Sequence, residues 1–296
     1  MQKIKLAAPA KINLFLNITS ILDDGYHELE MVMQSISLHD LITIKKIEKG
    51  IIISSNNKQI PLDERNLAYK AADLILNKYN ISKGVKINIK KNIPVAAGLA
   101  GGSTDAAAVL KAISNLYDLN LGKQELYELG SKIGADVPFC IYGGTAFAYD
   151  RGDKIKQLPD ISKTWLVLVN PPGEISTPEI YNLYDKKKPD IEIPTQKLLK
   201  EFKKDKKINW SAPFGNILEP ITAKKVSDVL RIKEILNKYS PELILMSGSG
   251  PSVFAIVKNK NKGEKIVDNW PRKNDFIGCF HTTGYNNSTP KSIQKI

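Results

Sequence analysis

Cysteine is scarce in this chain. Cys140 and Cys279 are the two among 296 residues. Two thiols cannot build a disulfide framework, and these lack metal-ligand spacing, so both read as small buried side chains in a reducing compartment such as the cytoplasm. Long apolar runs are also missing. None approaches the ~18 residues that a membrane-spanning helix requires, and Lys11, Asn13 and Asn17 interrupt the apolar residues near the N-terminus, so no signal-peptide core is expected there. Acidic residues are outnumbered, 31 against 43 Lys and Arg, for a net charge of +12. Such a balance suits nucleic acid, an anionic membrane or phosphorylated substrates. The basic runs Lys186-Lys187-Lys188, Lys203-Lys204 and Lys206-Lys207 lie in polar segments without interleaved aromatic residues. They read as solvated surface, with neither specific nucleic acid nor membrane as partner. Internal repeats and low-complexity tracts are absent too.

What remains is a globular composition, 42% hydrophobic and 25% charged. The length suits one large domain or two ordinary ones. Ala7 to Ile18, Val32 to Leu38, Leu41 to Ile47 and Val85 to Lys90 read as strands. Asn66 to Lys78, Asp105 to Ile113 and Lys123 to Ile133 read as helices, the last capped by Gly134. Trp165 to Val169 reads as a buried strand between composition shifts at residues 150–153 and 170–173. These place a boundary near residue 160, giving domains 1–160 and 161–296. Residues 183–215 are charged and loop-rich. Val226 to Tyr239 is expected as a helix with Val226, Val229, Leu230 and Leu236 on one face, followed by strands Leu243–Met246 and Val253–Val257. The interleaving of strands and helices predicts an α+β fold with mixed or antiparallel sheets.

The most informative segment is Pro94-Val95-Ala96-Ala97-Gly98-Leu99-Ala100-Gly101-Gly102-Ser103-Thr104-Asp105, between a strand and a helix. Glycines bring backbone N–H groups close to a ligand, and a helix start adds unpaired donors and partial positive charge, which suit a phosphate. Ser103 or Thr104 is placed to cap the helix or to meet a phosphate or its metal ion. The segment is neither a Walker A loop, lacking its lysine, nor a dinucleotide fingerprint. From glycines alone, a tight strand-to-helix turn remains an equal reading.

Pro94 to Ala107 resembles the nucleotide-binding motif of the GHMP kinase superfamily. Ala100 stands where that pattern usually has glycine, and its methyl is accommodated if the residue keeps negative φ. Ala8 to Leu16 resembles the first motif of the superfamily, and Met246 to Ser252, with Gly248, Ser249 and Gly250, the third. Asp24 to Leu29 and Gly134 to Phe139 resemble the branch that phosphorylates 4-diphosphocytidyl-2-C-methyl-D-erythritol in the non-mevalonate isoprenoid route. The resemblance runs from Ala8 to Phe254, and the tail after Val257 adds nothing to it.

The resemblance implies an N-terminal domain like the second domain of ribosomal protein S5 and a ferredoxin-like C-terminal domain, with substrates between them. ATP with Mg²⁺ would be the donor, held by residues 94–104, with no protein ligand named for the metal. Asp136 matches the family's catalytic aspartate, suited to taking the hydroxyl proton, and Lys11 its catalytic lysine. Asn13, two residues on, shares the Lys11 face of a regular strand. Tyr26 and His27 match the reader of the cytidine, Tyr181 a second stacking aromatic, and Thr177 a contact to the substrate diphosphate. A monomer or homodimer is expected. The alternatives are another GHMP kinase, acting on homoserine or mevalonate, and an RNA-binding protein built on an S5-like domain. The former has no base for Tyr26 and His27 to read, and the latter no use for Lys11 with Asp136.

Overall fold

The computed structural model describes residues 3–203 and 208–285, so Lys204, Lys206 and Lys207 lie outside the described residues. In chain order the elements are β1 (Lys3–Ile21), β2 (His27–Ile47), β3 (Ile51–Ser55), α1 (Leu67–Lys78), β4 (Gly84–Lys90), α2 (Gly101–Leu116), α3 (Lys123–Ser131), α4 (Val137–Tyr142), β5 (Thr145–Asp150) and β6 (Lys154–Gln157). There follow β7 (Trp165–Asn170), α5 (Thr177–Lys186), α6 (Thr195–Lys203), α7 (Glu219–Lys225), α8 (Asp228–Asn237), β8 (Leu243–Met246), β9 (Val253–Val257), α9 (Lys260–Asp268) and β10 (Phe276–His281).

The strands form two sheets. Six strands, ordered β3-β4-β2-β5-β6 with β1 paired to β2, make a mixed sheet in which only β3 and β4 run parallel among the described residues. The second sheet is antiparallel, ordered β10-β7-β9-β8. The architecture is therefore α+β with mixed and antiparallel sheets, as the interleaved pattern predicts. The last strand of the first sheet ends at Gln157 and the first strand of the second begins at Trp165.

Two long strands replace several short ones. The Val32–Leu38 and Leu41–Ile47 segments are one strand, β2, paired along its length with β1. The His39-Asp40 dipeptide lies between the two expected segments. Asp40 is fully buried and accepts the backbone N–H groups of Asn92 and Ile93 at 2.6 and 2.8 Å, so its polarity is satisfied inside the sheet. The register of β1 against β2 slips between Pro9 and Lys11 and again between Asn13 and Phe15. Such bulges re-aim side chains and release backbone groups from the ladder. Here the Lys11 N–H turns away from β2 and donates to the Leu99 carbonyl at 3.1 Å, fastening β1 to the glycine-rich loop.

Helix α2 begins four residues before the expected Asp105, so Gly101, Gly102 and Ser103 form its first turn. Ala106, Ala107, Ala108 and Ala112 are all buried. Their small side chains let a helix that is apolar nearly all round lie between α1 and the first sheet. Four other expectations change. Residues 183–215 hold the end of α5 and all of α6, whose Leu198, Leu199 and Phe202 are buried. Helix α3 ends at Ser131, with Lys132 rather than Gly134 in the capping position. Leu230 lies on the outer face of α8 and is 50% exposed, because the buried set is Val229, Ile232 and Leu236. The tail after Val257 supplies α9 and the edge strand β10, and Cys279 on that strand is only half-buried. Lys186, Lys187 and Lys188 are exposed, as a solvated run should be.

Candidate active site

A cleft of about 860 Å³ is walled by β1, the glycine-rich loop, the start of α4, α5 and the turn between β8 and β9. It brings together Lys11, Asn13, Tyr26, His27, residues 94–103, Asp136, Thr177, Tyr181, Gly248 and Ser249, which come from both halves of the sequence.

At its floor, Lys11 and Asn13 lie side by side on β1. The Lys11 ammonium donates to Asn13 Oδ1 at 2.7 Å, as the shared strand face predicts. Both residues are buried. Lys11 Nζ also stands 3.8 Å from Asp136 Oδ2 across the cleft. Asp136 occupies the position just before α4, but its side chain makes no capping hydrogen bond, which leaves the carboxylate directed at the cleft. A cation and a carboxylate thus face one small volume, where a hydroxyl would find a proton acceptor beside a positive charge.

The loop wall is a run of unusual backbone. Gly98 has φ +73° and Ala96 and Ala100 have φ +51° and +56°. Ala100 therefore does not keep the negative φ expected of it. It serves as the cap residue of α2 in the left-handed region, without a side-chain capping bond. No hydroxyl caps the helix, and the N–H groups of its first turn are left to face the cleft. A Cβ at Gly98 would sit 2.2 Å from the Ser247 carbonyl oxygen, so glycine is required where the loop meets the turn after β8. That junction is tied further by Ser247, which donates to the Gly98 carbonyl at 3.0 Å and accepts from the Asn13 N–H at 3.3 Å.

Two of the expected loop and turn residues are not part of the wall. Thr104 is buried behind α2 and faces a separate cavity, because the helix begins early enough to carry it round to the far side. Gly250 does not line the cleft either; it packs by Met246 and Thr222, supporting the turn from outside.

At the other end, the His27 ring lies 4.8 Å from the Tyr181 ring and its Nε2 is 2.7 Å from Asp185 Oδ1. Burial pushes the Tyr181 hydroxyl well above its ordinary range, and the nearby Asp136 charge adds to this. Tyr26 is 61% exposed, with the Arg151 guanidinium 4.7 Å from its ring centroid. Arg151 also pairs with Asp24. Thr177 and Ser249 share a hydrogen bond of 2.8 Å, joining the start of α5 to the third glycine segment.

Several site residues escaped the sequence reading. Lys91 and Asp105 line the cleft under the loop, and Lys91 binds both Asp40 and Asp105. Burial holds the Asp105 carboxyl above the ordinary carboxylate range, the Lys91 charge opposing and the Asp40 charge adding to the shift. Burial alone would lower Lys91, but the two carboxylates outweigh it and hold its ammonium above the ordinary value. Asn216 donates to the Met246 and Gly248 carbonyls at 2.9 and 2.8 Å, and Thr222 to the Ser249 carbonyl at 3.0 Å, fixing the turn. These partners are far apart in sequence, and no local motif marked them. Asp24, Gly25 and Pro94 do line the cleft, and those segments had been noted.

The model of the GHMP kinases N terminal domain matches residues 66–144, and that of the GHMP kinases C terminal domain residues 196–275. With the fold and cleft just described, they define a small-molecule kinase of the GHMP class, for which ATP is the phosphoryl donor. A Clostridium botulinum 4-diphosphocytidyl-2-C-methyl-D-erythritol kinase is 46% identical over 266 residues, covering 90% of this chain and 95% of that protein. The Bacillus subtilis protein of that name is 45% identical over 263 residues, covering 88% and 90%. A crystal structure of a 4-(cytidine 5'-diphospho)-2C-methyl-D-erythritol kinase superposes with a TM-score of 0.78 at 29% identity, over 95% of this chain and all of that one. Homoserine kinase from Cytophaga hutchinsonii shares the fold, at TM-score 0.73 and 20% identity. The chain belongs to the 4-diphosphocytidyl-2-C-methyl-D-erythritol kinase family.

Proposed function

We propose that this protein transfers the γ-phosphoryl group of ATP to the tertiary 2-hydroxyl of 4-diphosphocytidyl-2-C-methyl-D-erythritol. The observation that carries the reading is the facing pair Lys11 and Asp136, 3.8 Å apart, in a cleft that also holds the His27–Tyr181 aromatic pair. The hydroxyl proton passes to the Asp136 carboxylate as the acceptor oxygen bonds to the γ-phosphorus, and the bond from that phosphorus to the β,γ-bridging oxygen breaks, releasing ADP. Lys11 offers its charge to the oxygen as it becomes negative, and Asn13 holds the ammonium in place. The N–H groups of residues 101–103 and the backbone of residues 94–100 cradle the triphosphate. The cytosine base stacks against Tyr26 and Tyr181, with His27 pairing to its edge while Asp185 fixes the ring. Thr177 and Ser249 meet the substrate diphosphate.

No cluster of three potential metal-binding side chains occurs among the described residues. The Ser103 hydroxyl beside the phosphate cradle suits an ion that keeps most of its water, so Mg²⁺ is read as arriving with ATP and neutralising triphosphate charge when bound. One chain carries the whole cleft, which supports a monomer as sufficient for catalysis. Both cysteines are free thiols, in keeping with a reducing compartment. We divide the chain near residue 160, between the strands of the two sheets.

An ADP-release assay with four acceptors tests the reading. Turnover is expected with the cytidyl-methylerythritol diphosphate and not with homoserine, mevalonate or galactose. Comparable turnover with any of the last three would overturn it.

A further inference from the structure

A second cavity, of about 360 Å³, lies on the far side of α2 from the cleft. That volume is at the lower end of the range typical of small-ligand pockets, about 300–1,000 Å³. Its walls are apolar where β1, α3 and α4 meet, through Leu6, Pro9, Leu126 and Ile141, and two lysines, Lys111 and Lys123, also line it.

Lys111 is the unusual member. One of its ammonium hydrogens donates to the Cys140 carbonyl at 3.2 Å, at the C-terminal end of α4. The ionisable groups that act on it are the Cys140 thiol and the Lys123 ammonium, with no carboxylate among them. Lys111 is half-buried, and a cation that gives up part of its hydration is ordinarily paired. The two buried ammonium groups described above are both paired, Lys11 with Asp136 and Lys91 with Asp40 and Asp105. Burial pushes the Lys111 amine down to about 8, with Lys123 adding to the effect, which is the response expected of a cation lacking its counter-ion. Lys123 is itself exposed at the rim of the cavity, where its ammonium donates to the Tyr285 hydroxyl and lies 3.6 Å from that ring's centroid.

We propose that this cavity is a second ligand site, taking a small anion with a compact apolar body. The anionic head bridges Lys111 and Lys123, and the body fills the space between Leu6, Pro9, Leu126 and Ile141. The site shares α2 with the phosphate-binding loop and α4 with Asp136, yet is separate from the cleft and does not depend on the kinase reading.

The test uses the full chain with ADP present to occupy the main cleft. Pyridoxal 5'-phosphate condenses with an unprotonated lysine amine, the aldehyde carbon forming an imine as water leaves, and borohydride then fixes the adduct for peptide mapping. Lys111 is expected to label faster than the exposed Lys58. Butyl phosphate or hexanoate should slow that labelling by at least about fivefold at saturation. Inorganic phosphate, lacking the apolar body, should protect less. The butyl phosphate and hexanoate arms distinguish a phosphate head from a carboxylate. In direct calorimetry, Lys111→Met should weaken binding of the protecting compound by about tenfold or more, the range for a lost charge-assisted hydrogen bond. Lys123→Gln should do the same if the first variant does not fold. Labelling of Lys111 no faster than Lys58, protection by neither organic anion, or unchanged affinity in a folded variant would overturn the proposal.

Discussion

Replacing Asp136 with asparagine removes one proton acceptor and little else. The side chain caps no helix hydrogen bond, so α4 keeps its start. An amide oxygen can still receive the Lys11 ammonium 3.8 Å away, so the floor of the cleft should hold its shape. What goes is the charge. At an effective dielectric constant of about 20, the Lys11–Asp136 attraction is worth about 4 kcal/mol, which sets the scale of the field at the reacting oxygen. Loss of a positioned general base ordinarily costs 10²–10⁴-fold in turnover, or about 3–5 kcal/mol in the barrier. Asp136→Asn should therefore lower kcat by about 10²–10⁴-fold in an ADP-release assay, while ATP affinity by calorimetry changes by less than about threefold. A variant that turns over within about tenfold of the parent would remove Asp136 from the chemistry. One that loses ATP binding equally would make its role structural.

Four other expectations concern different walls of the cleft. His27→Ala should raise KM for the cytidyl substrate by about 5- to 150-fold with little effect on ATP, and Tyr181→Phe should retain what Tyr181→Ala loses, because stacking needs the ring and not the hydroxyl; steady-state kinetics with each substrate varied checks both. Ala100 has φ +56°, so Ala100→Gly should stabilise the fold by about 1 kcal/mol in denaturant titration with the unfolding slope unchanged. For Asp105 the sign follows from its raised pKa. The folded carboxyl holds its proton to higher pH than the unfolded one, so its contribution to stability is full below the ordinary carboxylate pKa and is lost as pH rises through the raised value. Asp105→Asn, which cannot ionise, should gain stability relative to the parent by about 1–3 kcal/mol as pH climbs from 4 to about 8, and equal pH slopes for the two would refute this.

Continuous motifs made much of the site legible in the sequence. The glycine-rich loop stands out in the sequence as eleven adjacent residues, 94–104, and Lys11 with Asn13 shows a shared face through the strand period alone. What stayed hidden was whatever depends on pairing across the chain. Asp40 falls in the gap between the two expected strand segments, and its acceptors are filled by residues about fifty positions later. Lys91, Arg151, Asp185 and Asn216 carry no local signal, since each acquires its role from a partner or cavity that only the folded chain assembles. The sign of φ at Ala100 was missed because an alanine gives no hint of left-handed backbone. Thr104 was misplaced by the helix beginning at Gly101, since a start four residues earlier turns the hydroxyl away from the cleft. The edge strand β10 was missed because Phe276 to His281 is half-buried throughout and shows no alternation of burial.

The central claim is spatial: one acceptor oxygen meets the Lys11 ammonium, the Asp136 carboxylate and the γ-phosphorus together. A crystal structure with 4-diphosphocytidyl-2-C-methyl-D-erythritol and a non-hydrolysable ATP analogue tests it most directly. The account predicts the 2-hydroxyl oxygen within hydrogen-bonding distance of Asp136 and about 3–3.5 Å from the γ-phosphorus. A cytidine bound away from His27, or a triphosphate lying outside the loop of residues 94–103, would contradict it.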